Sequence, residues 1–190
     1  GADLGAEKFF NIKCRQSGLR PDLTVLVATT LSLKMHGGVP EADITKPNRE
    51  GIVQGFANLD KHIENLQSFG QTVLVALNRF TSDTDEEIEL IMRHCEQKGI
   101  RCVVNNAYTG IGAADLANAV VEEIENNPSR PLRFTYDDND SPAEKIEKIA
   151  HTIYGAGEVV FSQKAEKKLK QIKNWNLNHL PVCIAKTQYS

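Results

Sequence analysis

What this 190-residue sequence lacks narrows the reading first. No apolar run approaches the ~20 residues that cross a bilayer, and the N-terminus has no basic-then-apolar layout, so no membrane partner is expected. Charge of neither sign dominates: 22 Lys and Arg stand against 25 Asp and Glu, a net charge of −3. With a pI near 6.0, nucleic acid and anionic membranes are not expected partners either. Cysteine is sparse. Cys14, Cys95, Cys102 and Cys183 form no C-x-x-C pair, which removes zinc-finger and thioredoxin-like motifs, and no metal site is expected. Cys102 and Cys183 lie in apolar runs and Cys95 on a predicted helix, so buried, reduced thiols and a cytoplasmic location are the reading. There is no G-x-x-x-x-G-K-[ST], and no G-x-G-x-x-G follows a strand, which leaves a generic dinucleotide dehydrogenase without support. Ser32 has no His and Asp at a telling spacing, so no nucleophilic triad is indicated.

What is present suits an α/β protein. With 41% apolar and 25% charged residues, the chain has the make-up of a globular protein of one domain or a little more. Leu23 to Ala28 is a nearly continuous apolar run, read as a strand buried on both faces. A polar tail follows, carrying Lys34 and His36 and ending in Gly37-Gly38. Strand, loop and glycines are how such folds present polar groups at the carboxyl edge of a sheet.

In chain order, Ala2 to Arg15 reads as a helix capped by Asp3 and stopped by Gly18. A long helix from about Asn48 to Ser68 has Ile52, Phe56, Leu59, Ile63 and Leu66 on one face. His62, beside that face, reads as packed or half-exposed rather than as a ligand. Thr72 to Leu77 is a second strand. Asp83 with Glu86 resembles a capping box for a helix to Lys98, its inner face Ile88, Met92 and Cys95. Arg101 to Asn105 is a third strand, and a helix to Asn126 turns Leu116, Val120 and Ile124 inward. Residues 1–127 thus hold three strand–helix units, expected to form a mostly parallel sheet with helices on both faces, Rossmann-like or P-loop-NTPase-like in its layers. Residues 128–140, with two prolines and Asp137-Asp-Asn-Asp140, read as a linker. Residues 141–190 read as a smaller α/β portion: a helix started by Ser141-Pro142-Ala143-Glu144, a short strand at 159–161, a lysine-rich helix from Ser162 to Asn174, and a strand at 182–185. Lysines 164, 167, 168, 170 and 173 spread around that helix as a solvated face.

The local candidate for chemistry is Asn78-Arg79-Phe80-Thr81. An aromatic in a polar loop just past a buried strand is poorly explained as core. Tyr108 stands in the corresponding loop after the third strand. Either the two rings serve a ligand, or Phe80 folds back onto its own helix and Tyr108 is a surface aromatic. The carboxylates Asp83, Asp85, Glu86 and Glu87 read as helix N-terminal charges rather than an acid–base pair.

A family resemblance is carried by several stretches. Val27-Ala28-Thr29 with Leu33-Lys34-Met35-His36-Gly37-Gly38 resembles a signature of the formate–tetrahydrofolate ligases, departing from it at Thr30, Leu31 (an Arg in the family) and Ser32. Gly1 to Phe10 and Leu180 to Ser190 resemble further stretches of the family, so the chain reads as a central-to-C-terminal piece of a larger, multidomain enzyme. The resemblance implies ATP, Mg²⁺ and tetrahydrofolate as substrates and cofactors, with a monovalent cation among the ions. Formate is phosphorylated, and the formyl phosphate is attacked by N10 of tetrahydrofolate. It implies a phosphate-binding loop upstream, so the catalytic residues lie outside this chain and the piece alone is expected to be inactive. It implies a homo-tetramer. It makes Phe80, Thr81 (a Pro in the family) and Tyr108 (a Trp in the family) folate-binding, the pterin held between the two rings. The run after Tyr108 is shorter than in the family and lacks its Glu. Lys34, His36, Gly37 and Gly38 either contact phosphate or formyl groups or hold the loop through backbone carbonyls. Leu31, Thr81 and the short loop motivate an alternative, a catalytically inactive relative or a folate- or nucleotide-binding module.

Overall fold

In the computed structural model, which describes residues 2–185, the N-terminal helix forms as three joined pieces. Helix α1 is Ala2–Lys8, a π-helical stretch is Phe9–Cys14, and α2 is Arg15–Ser17. The capping role expected of the Asp3 side chain lies outside what the structure describes. Gly18 ends α2 at φ 74°, a left-handed conformation that only a residue without a Cβ adopts freely. There follow β1 (Thr24–Ala28), α3 (Thr30–His36), a 3₁₀ turn (Glu41–Asp43), α4 (Arg49–Ser68), β2 (Val73–Asn78), α5 (Asp85–Gln97), β3 (Cys102–Asn105) and α6 (Ala113–Asn126). Helices α7 (Pro142–Thr152) and α8 (Gln163–Asn174) complete the described chain. Gly1 and residues 186–190, part of the stretches that carry the resemblance, lie outside the described residues.

The chain makes two compact units: Pro21–Arg130, and the residues up to Arg20 together with those from Pro131 on. The boundaries fall after Arg20 and after Arg130, so the first twenty residues group with the residues from Pro131 on.

In the Pro21–Arg130 unit three parallel strands pair in the order β1-β2-β3, with Leu26 opposite Val75 and Asn78 opposite Asn105. Every residue from Val73 to Leu77 is buried, so β2 is covered on both faces, as parallel strands require. Strand β1 departs from the expectation. Leu26 and Ala28 are buried, but Val25 is 39% and Val27 65% exposed, because β1 is an edge strand with one open face. The core is completed by Ile52, Phe56, Leu59, Ile63 and Leu66 of α4, as their spacing predicts. On α5 the inner face is Ile88, Ile91 and Cys95; Met92, expected inside, is exposed. On α6 only Ala119 is fully buried, and Ile124 is exposed.

The polar stretch after β1 is not a loop, as expected, but helix α3. Thr29 caps it through its hydroxyl, which accepts the Ser32 N–H at 3.0 Å, while Ser32 returns its hydroxyl oxygen to the Thr29 N–H. Helices α3 and α4 meet backbone to backbone: a side chain on Gly55 would overlap the Leu33 carbonyl, and one on Gly37 the Gly51 carbonyl.

The other unit has a smaller core, built on Phe10, Cys14, Tyr136, Ile149 and Ile153. Helix α7 starts as its sequence predicts, with Ser141 and Glu144 closing a capping box around Pro142. The strands expected at 159–161 and 182–185 are irregular instead. A short apolar run becomes a strand only beside another strand, and the described residues of this unit contain none. Cys183, expected to be buried, is exposed.

Candidate functional site

At the carboxyl ends of β2 and β3, Asn78 and Asn105 are paired in register and the chain turns outward from both. These two turns are built from local polar contacts. The Asn78 side-chain oxygen accepts the Ala107 N–H at 3.0 Å, and Arg79 N–H donates to the Asn105 carbonyl at 2.8 Å, so one turn is tied to the other. Asn106 Oδ1 accepts the N–H groups of Tyr108 and Thr109, each at 3.0 Å, a turn that a short carboxamide side chain makes readily. Gly110 and Gly112 take positive φ to close the loop, and a side chain on Gly112 would overlap the Val104 carbonyl.

The rings sit on these turns. Phe80 is 40% and Tyr108 98% exposed, and Thr81 is also exposed. All three line one cleft of about 560 Å³, together with Asn78, Arg79 and Asn106. The cleft thus has two exposed aromatic residues, Phe80 and Tyr108, in its lining. A flat heteroaromatic ring stacked on such residues gains ~0.5–1.5 kcal/mol per aromatic partner beyond the area it buries.

The turn carrying Phe80 is held from beneath. Asp83, 6% exposed, accepts the Phe80 N–H at 2.8 Å through one carboxylate oxygen and the Thr30 hydroxyl through the other. Asp83 is therefore not the cap of α5. That role is taken one residue later by Thr84, in a capping box with Glu87. Asp83, Thr30 and Asn106 are the residues whose part in these turns inspection of the sequence missed. The signal was the density of Asn, Asp and Thr immediately after two strands, where such side chains bond nearby backbone groups.

Lys34 is fully buried. Its ammonium pairs with Glu87 at 2.8 Å and donates to the Lys46 carbonyl at 2.9 Å. Burial, the largest single influence, pushes the Glu87 carboxyl up. The Lys34 ammonium and the backbone N–H groups of Asn48 and Thr84 together outweigh it and hold the carboxyl below its ordinary value. His36 is exposed at the last turn of α3, Gly37 follows as the C-cap, and Gly38 takes φ 81°.

A larger groove, about 640 Å³, runs along α4 and α5 past Phe56, Arg93 and His94. There His94 stacks on Phe56 at 3.8 Å and bonds Asp60 at 2.7 Å, which accounts for it as packing between two helices. Among the described residues no three His, Cys, Asp or Glu side chains converge as metal ligands, and no helix is long and apolar enough to cross a membrane.

The family model described as formate–tetrahydrofolate ligase matches residues 1–190. The chain is 59% identical to the formate–tetrahydrofolate ligase of Parabacteroides distasonis, 61% to that of Bacteroides fragilis and 51% to that of Campylobacter concisus. Each alignment covers the whole chain and 35% of the relative, so the chain spans about a third of the length of the curated relatives it matches. Among solved structures, the cytosolic domain of the T. maritima FeoB iron transporter aligns over 91% of this chain and 67% of that one, at 13% identity and a TM-score of 0.36.

Proposed function

Because the chain belongs to the formate–tetrahydrofolate ligase family, we propose that it forms the folate wall, and part of the nucleotide wall, of an enzyme three times its length. That enzyme joins formate to tetrahydrofolate at the expense of ATP, by way of formyl phosphate, and yields 10-formyltetrahydrofolate. It works in the cytoplasm as a homo-oligomer. The observation that supports this chain's share is the common cleft of Phe80, Thr81 and Tyr108 at the carboxyl edge of the sheet, where open α/β folds take their ligands. The pterin lies between the two rings, and its polar edge meets the amide and hydroxyl groups of Asn78, Thr81 and Asn106.

This wall binds and orients. It holds N10 of the folate toward the acyl donor, and proximity supplies the acceleration. Lys34, buried against Glu87, shapes the loops by holding a backbone carbonyl. His36 and the Gly37-Gly38 turn lie at the edge of that arrangement and are the residues here that meet phosphate or formyl groups. Among the described residues no three His, Cys, Asp or Glu side chains converge, and every step assigned to this chain is one of binding and orientation.

Replacing Phe80 with Ala in the full-length ligase tests the proposal. Loss of one stacking partner and its buried area is expected to raise the KM for tetrahydrofolate about tenfold, with the KM values for MgATP and formate unchanged. An unchanged tetrahydrofolate KM overturns the assignment. Leu31, where the family has an Arg, favours a second reading, a binding module without turnover; folate binding by a full-length protein that forms no product would select it.

A further inference from the structure

Phe80 lies outside both strand and helix, 40% exposed, yet its backbone is fixed from two sides. Asp83 accepts the Phe80 N–H at 2.8 Å, and the Asp83 N–H returns to the Phe80 carbonyl at 3.2 Å, so residues 80–83 close on themselves. The second Asp83 oxygen takes the hydroxyl of Thr30, which has no exposed surface. One helical turn along α3, Lys34 reaches Glu87, which also accepts the N–H groups of Asn48 and Thr84. Two buried carboxylates four residues apart, Asp83 just before α5 and Glu87 in its first turn, are thus gripped by two side chains four residues apart on α3. Spacing by four puts Thr30 and Lys34 on one face of their helix.

Resting on the folate-wall reading above, we infer that Asp83 is the positioning residue for Phe80, and that α3 acts as the clamp of the folate turn through Thr30 and Lys34. The chemistry is that of preorganisation. A ring that must meet a flat ligand face-on loses affinity when its backbone is free, because binding must then supply the ordering. Asp83 fixes that backbone before the ligand arrives. Its contribution belongs to tetrahydrofolate binding and passes wholly through Phe80.

A double-mutant cycle in the full-length ligase tests this, with tetrahydrofolate KM as the readout and MgATP and formate KM as controls. Asp83→Ala is expected to raise the tetrahydrofolate KM about fivefold, the loss of two hydrogen bonds beneath the turn, and to leave the controls unmoved. In the Phe80→Ala background the same change is expected to add nothing. Multiplying effects, or an equal rise in the MgATP KM, would overturn the inference, because a general loss of structure acts on every substrate and does not pass through one ring. Should Asp83→Ala fail to fold, Thr30→Val removes only the hydroxyl. A rise of about threefold that vanishes without Phe80 supports the inference, and no rise overturns it. If Phe80→Ala raises the KM while Asp83→Ala leaves it unchanged, this inference alone fails. If Phe80→Ala itself is silent, the folate-wall reading fails and takes the inference with it.

Discussion

Among the described residues each unit of the molecule buries one lysine completely, and the two solve the same problem in different ways. Lys34 sits under the folate turn and is met by a carboxylate, Glu87, and one backbone carbonyl. Lys145, on α7 in the other unit, donates to three carbonyls, those of Asp138, Asn178 and Leu180, at 2.8–3.1 Å. It also lies 5.6 Å from the Tyr136 ring centre. Burial lowers the Lys145 pKa, with the charge of the Asp138 carboxylate working against it. One lysine is balanced by charge and the other by dipoles. Removing the first strands an opposite charge in the core. Removing the second strands only acceptors, which a water molecule can serve.

That difference sets the size of two mutations. Lys34→Met leaves the buried Glu87 carboxyl without its counter-charge, and breaking such a pair costs about 3–5 kcal/mol. The loss is expected in the Pro21–Arg130 unit alone, read as faster hydrogen exchange of the β2 amides. Adding Glu87→Gln is expected to restore at least half of it. Lys145→Met is expected to cost about 2 kcal/mol, because Arg15 still holds the same segment through Asp138 at 2.7 Å and stacks on Tyr136. The only tryptophan, Trp175, belongs to this unit, so its fluorescence in urea follows the loss. Equal losses from the two substitutions would break the comparison.

The same contrast explains what could be read before the structure was in hand. Helix α4 was legible because its apolar residues recur every three or four positions over about four turns, and α7 because Ser141, Pro142 and Glu144 form a start signal within four residues. Local physics writes such features into local sequence. Helix α3 was missed because its capping box uses Ser32 at the place where Glu or Gln is the usual sign, so Thr29 to His36 passed for a polar tail. Burial of Lys145 was invisible because its acceptors come from segments up to 35 residues away, which no periodicity records. The strands expected at 159–161 and 182–185 failed for lack of a neighbour, and the open face of β1 depends on what lies beside it. At the site, the position of Phe80 and Tyr108 after two buried strands was readable. The support beneath them was not: Asp83 was taken for a helix cap when Thr84, its neighbour, does that work.

The smallest effect is the one that tests the contrast without altering packing, because acid acts on the two units with opposite sign. Glu87 is held below its ordinary pKa of 4.5 by Lys34 and two N–H groups, which together overcome its burial. Its contribution to stability is therefore complete above pH 4.5 and is lost as the pH falls through the lower folded value. Glu7, in the other unit, is raised above the same 4.5, chiefly by burial and against the bond from Asn11. Its protonated form suits the fold, so its contribution is complete below pH 4.5 and is lost as the pH rises through the higher folded value. Acidification from about pH 6 to about pH 4 should thus slow exchange around α1 before it hastens exchange around α5, relative to chains carrying Glu7→Gln or Glu87→Gln. The first variant should flatten only the slope near α1 and the second only the slope near α5. A common slope in both units, untouched by either substitution, would show that the buried carboxyls follow net charge rather than the partners each one meets.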